Sequence, residues 1–310
     1  MRGIGHLGGL VLLAIGGTHA NVPSTMRQVR EKLACGPPQF ACVSVETVKT
    51  PSPKEGEALI RVNASSVNPS DVDNVEGGGC MLGCGADVAG TVVACPKCTT
   101  LSAGDEVLLL LKIASKFFFL VSHHITVASH HCLQVWTAAS HAYSDYVIAG
   151  ENRVAAKPKS LSLLEAGTIP EVGLTSLFSL KRTAIPVNQP IVPGSPWTNK
   201  GYTNLTVVIT AGAGGTGFIG IELARAFGAV NIFTAASGAD EIAFVKSLGA
   251  TLVVDYKVQN LFSALPDDSV DIVYDNYGEE GTADKAMHAI RSASLSFCSC
   301  TRVVLCYPLP

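Results

Sequence analysis

The chain has 310 residues, which at roughly 150 per domain suggests one large or two ordinary domains. Charged residues make up 15% against about 25% in a typical soluble chain, and hydrophobic residues reach 47%, which excludes an intrinsically disordered chain. A formal net charge of -3 leaves no basic field for nucleic acid, and no run reaches the roughly 18 apolar residues of a membrane span.

Residues 1–25 read as a targeting segment. Arg2 is a positive start, Leu10–Ile15 a short apolar core, and Thr18-His19-Ala20 a small-x-small cleavage site. A secretory destination follows from that reading. The alternatives are a buried N-terminal strand, or a cytoplasmic protein that starts at Met26. Sequons at Asn63 and Asn204 each abut apolar runs, so neither is expected to be well exposed. Ten cysteines are an even number, but a chain this long does not need a disulfide framework. Free thiols in a reducing compartment are therefore expected.

The sharpest motif lies at residues 205–228. Leu205–Thr210 is a short β-branched run suited to a buried parallel strand. Gly212-Ala213-Gly214-Gly215-Thr216-Gly217 follows as a G-x-G-x-x-G. Ile219, Leu223, Ala226 and Phe227 then recur on one helical face, with Gly228 at the C-cap. Strand, glycine turn and helix in that order suit a dinucleotide. The glycines admit the pyrophosphate to the backbone, and the helix N-terminus binds its charge. Strand 230–235, helix 239–248, strand 251–255 and strand 270–274 continue the alternation, which predicts a parallel, doubly wound sheet.

The second strand bears on the choice of cofactor. An Asp or Glu about 20 residues into such a unit bonds the ribose 2′-hydroxyl of NAD. Thr234-Ala235-Ala236-Ser237-Gly238 carries no acid; Asp240 and Glu241 come later, inside the next helix. NADPH is expected over NADH, although no arginine stands nearby to bind the 2′-phosphate.

At this point the chain resembles the medium-chain dehydrogenase/reductase superfamily, in its zinc-independent quinone oxidoreductase-like branch. The resemblance rests on Glu55–Val62, Asn68-Pro69-Ser70-Asp71, Gly85–Gly90, Ala142–Val147, Glu165–Pro170 and Gly173-Leu174-Thr175. It implies an α/β protein: a GroES-like β-barrel catalytic domain over 26–180, then a Rossmann doubly wound parallel sheet over 181–310. It implies hydride transfer from NADPH to a small-molecule quinone or α,β-unsaturated carbonyl. An enoyl reductase of the same superfamily, or an inactive nucleotide-binding homologue, are the alternatives. A homodimer is compatible with this reading.

The resemblance places Asn68 near the nicotinamide carboxamide and Thr175 near its ribose, with Asn68 and Asp71 as the catalytic candidates. Gly212, Gly214, Gly215, Thr216 and Gly217 fall at the pyrophosphate. Tyr256 falls at the adenosine 2′-phosphate, with Ser237 as the other candidate. The plainer alternatives are that Tyr256 ends a strand and Asp71 caps a helix. No metal is expected: the loop at Asn68–Asp71 has no thiol, Ala86-Asp87 stands where a His-Glu pair would ligate zinc, and Cys95-Pro96-Lys97-Cys98 lacks a second pair. Those two cysteines read as surface thiols.

Two stretches depart from the pattern. Residues 108–134, with Phe117–Val121 and a run of histidines, intervene where the family passes quickly to Ala142; a long insert in a compact barrel reads as a translated intron or gene-model error, with a lid or interaction insert, or a metal site, as the alternatives. After Arg291 the family's later strands are not evident, so the nucleotide sheet is expected to be incomplete at its C-terminal side.

Overall fold

The computed structural model describes residues 22–32, 39–77, 79–111, 141–184, 204–291, 296–299 and 306–307. Residues 1–21 of the leader and 112–134 of the insert lie outside these residues. The N-terminal half is antiparallel. Strands β1 (Thr25–Glu31) and β2 (Val43–Lys49) form a two-stranded sheet. Strands β3 (Glu57–Ala64), β4 (Asp87–Ala94), β5 (Glu106–Leu110), β6 (Tyr146–Gly150) and β7 (Ala155–Ala156) form a five-stranded sheet in the order β6-β3-β4-β5-β7. Ile60, Val88, Val92, Val107 and Val147 fill its core. Helix α1 (Pro69–Glu76) follows β3.

The short helix α2 (Leu163–Ala166) opens with a capping box, in which Ser162 and Glu165 satisfy each other's main-chain amides. Helix α3 (Pro170–Ala184) then leads into the second half. There β8 (Thr206–Ile209), α4 (Gly215–Ala226), β9 (Asn231–Ala236), α5 (Ala239–Leu248), β10 (Leu252–Asp255), β11 (Ile272–Asp275) and α6 (Thr282–Met287) alternate as expected. Strands β12 (Ser296–Ser299) and β13 (Cys306–Tyr307) extend the sheet, whose order is β10-β9-β8-β11-β12-β13.

All pairs are parallel except β12 with β13. Successive residues of β8 face opposite layers. Val207 and Ile209 pack with Ile221, Leu180 and Tyr274 on one face, and Val208 with Val273, Ala235 and Ala286 on the other. Both faces are covered, which is why the strand is apolar without alternation. The α/β class, antiparallel sheet first and doubly wound sheet second, is the one expected.

Several expectations need correction. Leu108–Leu110, assigned to the insert, belong to β5: Leu108, Leu109 and Leu110 lie opposite Ala89, Val88 and Asp87, and Leu109 is buried. Residues 112–134 remain outside the described residues. The sheet continues past β11, because β12 pairs in parallel with it. The boundary at 180 falls inside α3, which packs on α4 and on the second sheet. Both sequon asparagines are exposed. Cys95 and Cys98 are joined in a disulfide, whereas Cys80 and Cys84 are buried free thiols and Cys42 is buried beside Glu31.

Candidate active site

The second sheet has its switch point at β8, whose chain successor β9 lies on one side and β11 on the other. A crevice at the carboxyl ends of these strands is where open α/β sheets bind ligands. Here it is a cavity of about 560 Å³, lined among others by Ala211, Gly214, Ala236, Glu241, Tyr256 and Tyr277.

The glycine loop is shaped by contact. A Cβ on Gly217 would stand 1.8 Å from the Ala211 carbonyl oxygen, and one on Gly212 would stand 2.3 Å from Thr234 Oγ1 on β9. Only glycine lets α4 start this close to β8. Gly214 is its N-cap and lines the cavity, so the first-turn amides of α4 open at the crevice.

Asn276, just past β11, clamps this loop and was missed in the sequence. Its Oδ1 accepts from the Ala211 amide at 2.9 Å, and its Nδ2 donates to the Ala211 carbonyl at 3.0 Å and to Thr216 Oγ1 at 3.2 Å. Asp275 beside it accepts from Thr210 Oγ1 at 2.9 Å and from the Gly278 amide at 2.8 Å. Ser176 on α3 donates to the Thr216 carbonyl at 2.8 Å. The signal for these residues lies in strand order: whatever follows β11 must sit beside the loop that follows β8.

Tyr256 lines the cavity and is exposed. Ser237 is buried and already engaged. Its amide donates to Glu241 Oε2 at 3.2 Å, and its hydroxyl donates to Asp255.

The other expected residues gather at the junction of α1, β4 and α3. Asn68 is the N-cap of α1, and its Nδ2 donates to Asp87 Oδ2 at 2.8 Å. Ser66 Oγ donates to the same oxygen, and the Glu171 amide in the first turn of α3 donates to Oδ1 at 2.8 Å. Burial pushes the Asp87 carboxyl up to about 6 against these donors. Asp71 does cap: its Oδ2 accepts from the Asn68 amide at 2.9 Å and lies 2.9 Å from the Tyr143 hydroxyl. Burial and the Asp71 carboxylate push the Tyr143 phenol well above its ordinary range.

Thr175 lies one turn beyond Glu171 on α3. Asn68, Asp71 and Thr175 do not line the large cavity; Gly214 and Tyr256 do. The loop at Asn68–Asp71 is thus held by Asp87 and Tyr143, and both expected catalytic side chains take part in these bonds.

Comparison with known proteins agrees with this architecture. Residues 54–159 match the model described as Alcohol dehydrogenase GroES-like domain, and residues 215–296 the model described as Zinc-binding dehydrogenase. The Quinone-oxidoreductase homolog, chloroplastic, of Spinacia oleracea is 30% identical over 68% of this chain and 55% of its own length. The NADPH-dependent alkenal/one oxidoreductase, chloroplastic, of Arabidopsis thaliana is 28% identical over 79% of this chain and 55% of its own length. The chain therefore spans about half the length of these curated relatives. The solved quinone oxidoreductase from Coxiella burnetii shares the fold at 24% identity, with a TM-score of 0.64 over 87% of this chain and 74% of that one. The chain belongs to the medium-chain dehydrogenase/reductase superfamily, in its quinone oxidoreductase-like branch.

Proposed function

We propose that the protein is an oxidoreductase that transfers a hydride from NADPH to a quinone or an α,β-unsaturated carbonyl, without zinc. The observation that carries this is the glycine loop opening the first turn of α4 onto a cavity of about 560 Å³ at the switch point of the sheet. That loop fits a dinucleotide: Gly212 and Gly217 let the chain turn tightly against β9 and the Ala211 carbonyl, Gly214 adds no side chain to the cavity, and Asn276 holds the turn. The Gly215 and Thr216 amides would hold the pyrophosphate, and Tyr256 would meet the adenosine end. The cofactor supplies the hydride when bound; the chain supplies position and field.

Asn68, Asp71 and Thr175 are proposed to shape the nicotinamide end. Asp87 ties the Asn68 loop to the first turn of α3. No step needs a metal ligand: both Asp87 oxygens serve Ser66, Asn68 and the Glu171 amide. The substrate class follows the names of the curated relatives, and NADPH follows the acid-free end of β9. No helix among the described residues is long and apolar enough to cross a membrane. A homodimer and a leader cleaved after Ala20 belong to the same reading. Sedimentation and N-terminal sequencing of protein from its native source test these two.

The functional test is NADPH consumption by the full chain after exhaustive chelation, with a small quinone or a 2-alkenal as acceptor. Acceptor-dependent oxidation that survives chelation supports the reading. Tight NADPH binding without turnover on either acceptor would make the chain an inactive nucleotide-binding homologue instead.

A further inference from the structure

We infer that Glu241 sets the cofactor selectivity of this site, by occupying the Ser237 amide that a 2′-phosphate needs and so narrowing the preference for NADPH over NADH. The inference rests on the nucleotide-binding reading above. Glu241 is the third residue of α5, whose N-cap, Gly238, has φ +85° and turns the chain at the end of β9. An acid in a first helical turn can reach back to amides that the helix leaves unpaired. Glu241 does so, its Oε2 accepting from the Ser237 amide at 3.2 Å. The same side chain lines the cavity beside Ala236, Gly214 and Tyr256.

Asp255 closes the other side. It ends β10 opposite Ala236, and the Ser237 hydroxyl donates to it. That bond, together with the Lys257 amide at 3.0 Å, holds its carboxyl below the ordinary carboxylate range. Both donors of Ser237 are thus taken by carboxylates. A ribose 2′-hydroxyl can donate to Glu241, which keeps lone pairs for it. A 2′-phosphate must displace Glu241 from the amide and then stand between two negative charges, with Tyr256 and Lys257 as the groups that favour it. Selectivity here comes from an acid on the following helix, reaching the place that a strand-end acid occupies in NAD-specific folds.

The test is fluorescence titration of NADPH and NADH against the full chain, E241Q and E241K, with melting temperatures recorded at saturating nucleotide. Glu241 is exposed at the start of a helix, so the isosteric glutamine leaves packing untouched and, keeping an acceptor for the Ser237 amide, removes the charge alone, whereas lysine also frees the amide. The ratio of the NADH to the NADPH dissociation constant should rise about tenfold in E241Q, and further in E241K. The rise should come mainly from tighter NADPH binding. The nucleotide-dependent melting shifts should follow the same order. If both nucleotides bind all three proteins with ratios within about threefold of one another, Glu241 is not the selectivity residue. If the parent chain binds neither nucleotide, the nucleotide-binding reading itself falls, and the inference falls with it.

Discussion

Asn68 donates its side-chain amide to Asp87 at 2.8 Å, and the other Asp87 oxygen accepts from the first turn of α3. One buried carboxylate therefore joins the cap of α1 to the helix that packs on the nucleotide sheet. Its burial makes it sensitive to pH.

Asp87 titrates at about 6 in the folded protein against an ordinary value of 3.8, because burial penalises its charge. A carboxyl whose folded value is raised stabilises the fold when protonated. That contribution is complete below 3.8 and is lost as pH rises through about 6, a total of about 3 kcal/mol. Asp87→Asn should flatten the decline in melting temperature between pH 4 and 7. It should also loosen the Asn68 loop, since two amide groups would then face each other. Parallel melting curves for parent and variant across that range would contradict this.

Gly217→Ala should abolish nucleotide binding and destabilise the protein by about 3 kcal/mol, the upper range for overpacking in a tight site. The new methyl would stand 1.8 Å from the Ala211 carbonyl oxygen, so α4 must move away from β8. Calorimetric unfolding and NADPH titration read both effects. An alanine variant as stable and as tight-binding as the parent would show that the loop is more open than described.

Asn276→Ala removes bonds to both main-chain groups of Ala211 and one to Thr216. At about 1 kcal/mol per lost bond, NADPH affinity should fall roughly tenfold or more. The same three bonds, about 3 kcal/mol in all, should lower the melting temperature by roughly 6–12 °C. A loss of stability without loss of affinity would assign Asn276 to the fold alone.

Deletion of residues 112–134 should leave the pairing of β4 with β5 intact, whereas deletion of 108–134 removes most of β5. Leu109 is buried in the first core, and truncating such a leucine costs about 2–5 kcal/mol. Soluble yield of the two deletions, side by side, checks this. Equal yields would show that Leu108–Leu110 contribute little to the sheet.

Much of the second half was legible because local signals agree there. Gly238 and Gly249 bracket α5, β8 is a β-branched run, and the glycine turn lies between β8 and α4. What the sequence hid depends on distance in the fold. Asn276 lies 65 residues from Ala211 in the chain and meets it only because β11 pairs with β8. Glu241 lies inside α5, and its place in the sequence gives no hint that its carboxylate turns back to the Ser237 amide. Leu108–Leu110 merged with the apolar run that follows, and only pairing with Asp87–Ala89 separates them from it. The Cys95–Cys98 bond closes a tight turn that a count of thiols does not reveal.

The most direct measurement of the central claim follows the hydride itself. The full chain, freed of metal by chelation, is incubated with NADPH deuterated at both C4 positions of the nicotinamide and with a 2-alkenal. The account predicts a saturated product carrying one non-exchangeable deuterium at its β-carbon, with the proton at the α-carbon drawn from solvent. A saturated product without the label, or no product from a chain that binds NADPH tightly, would contradict it.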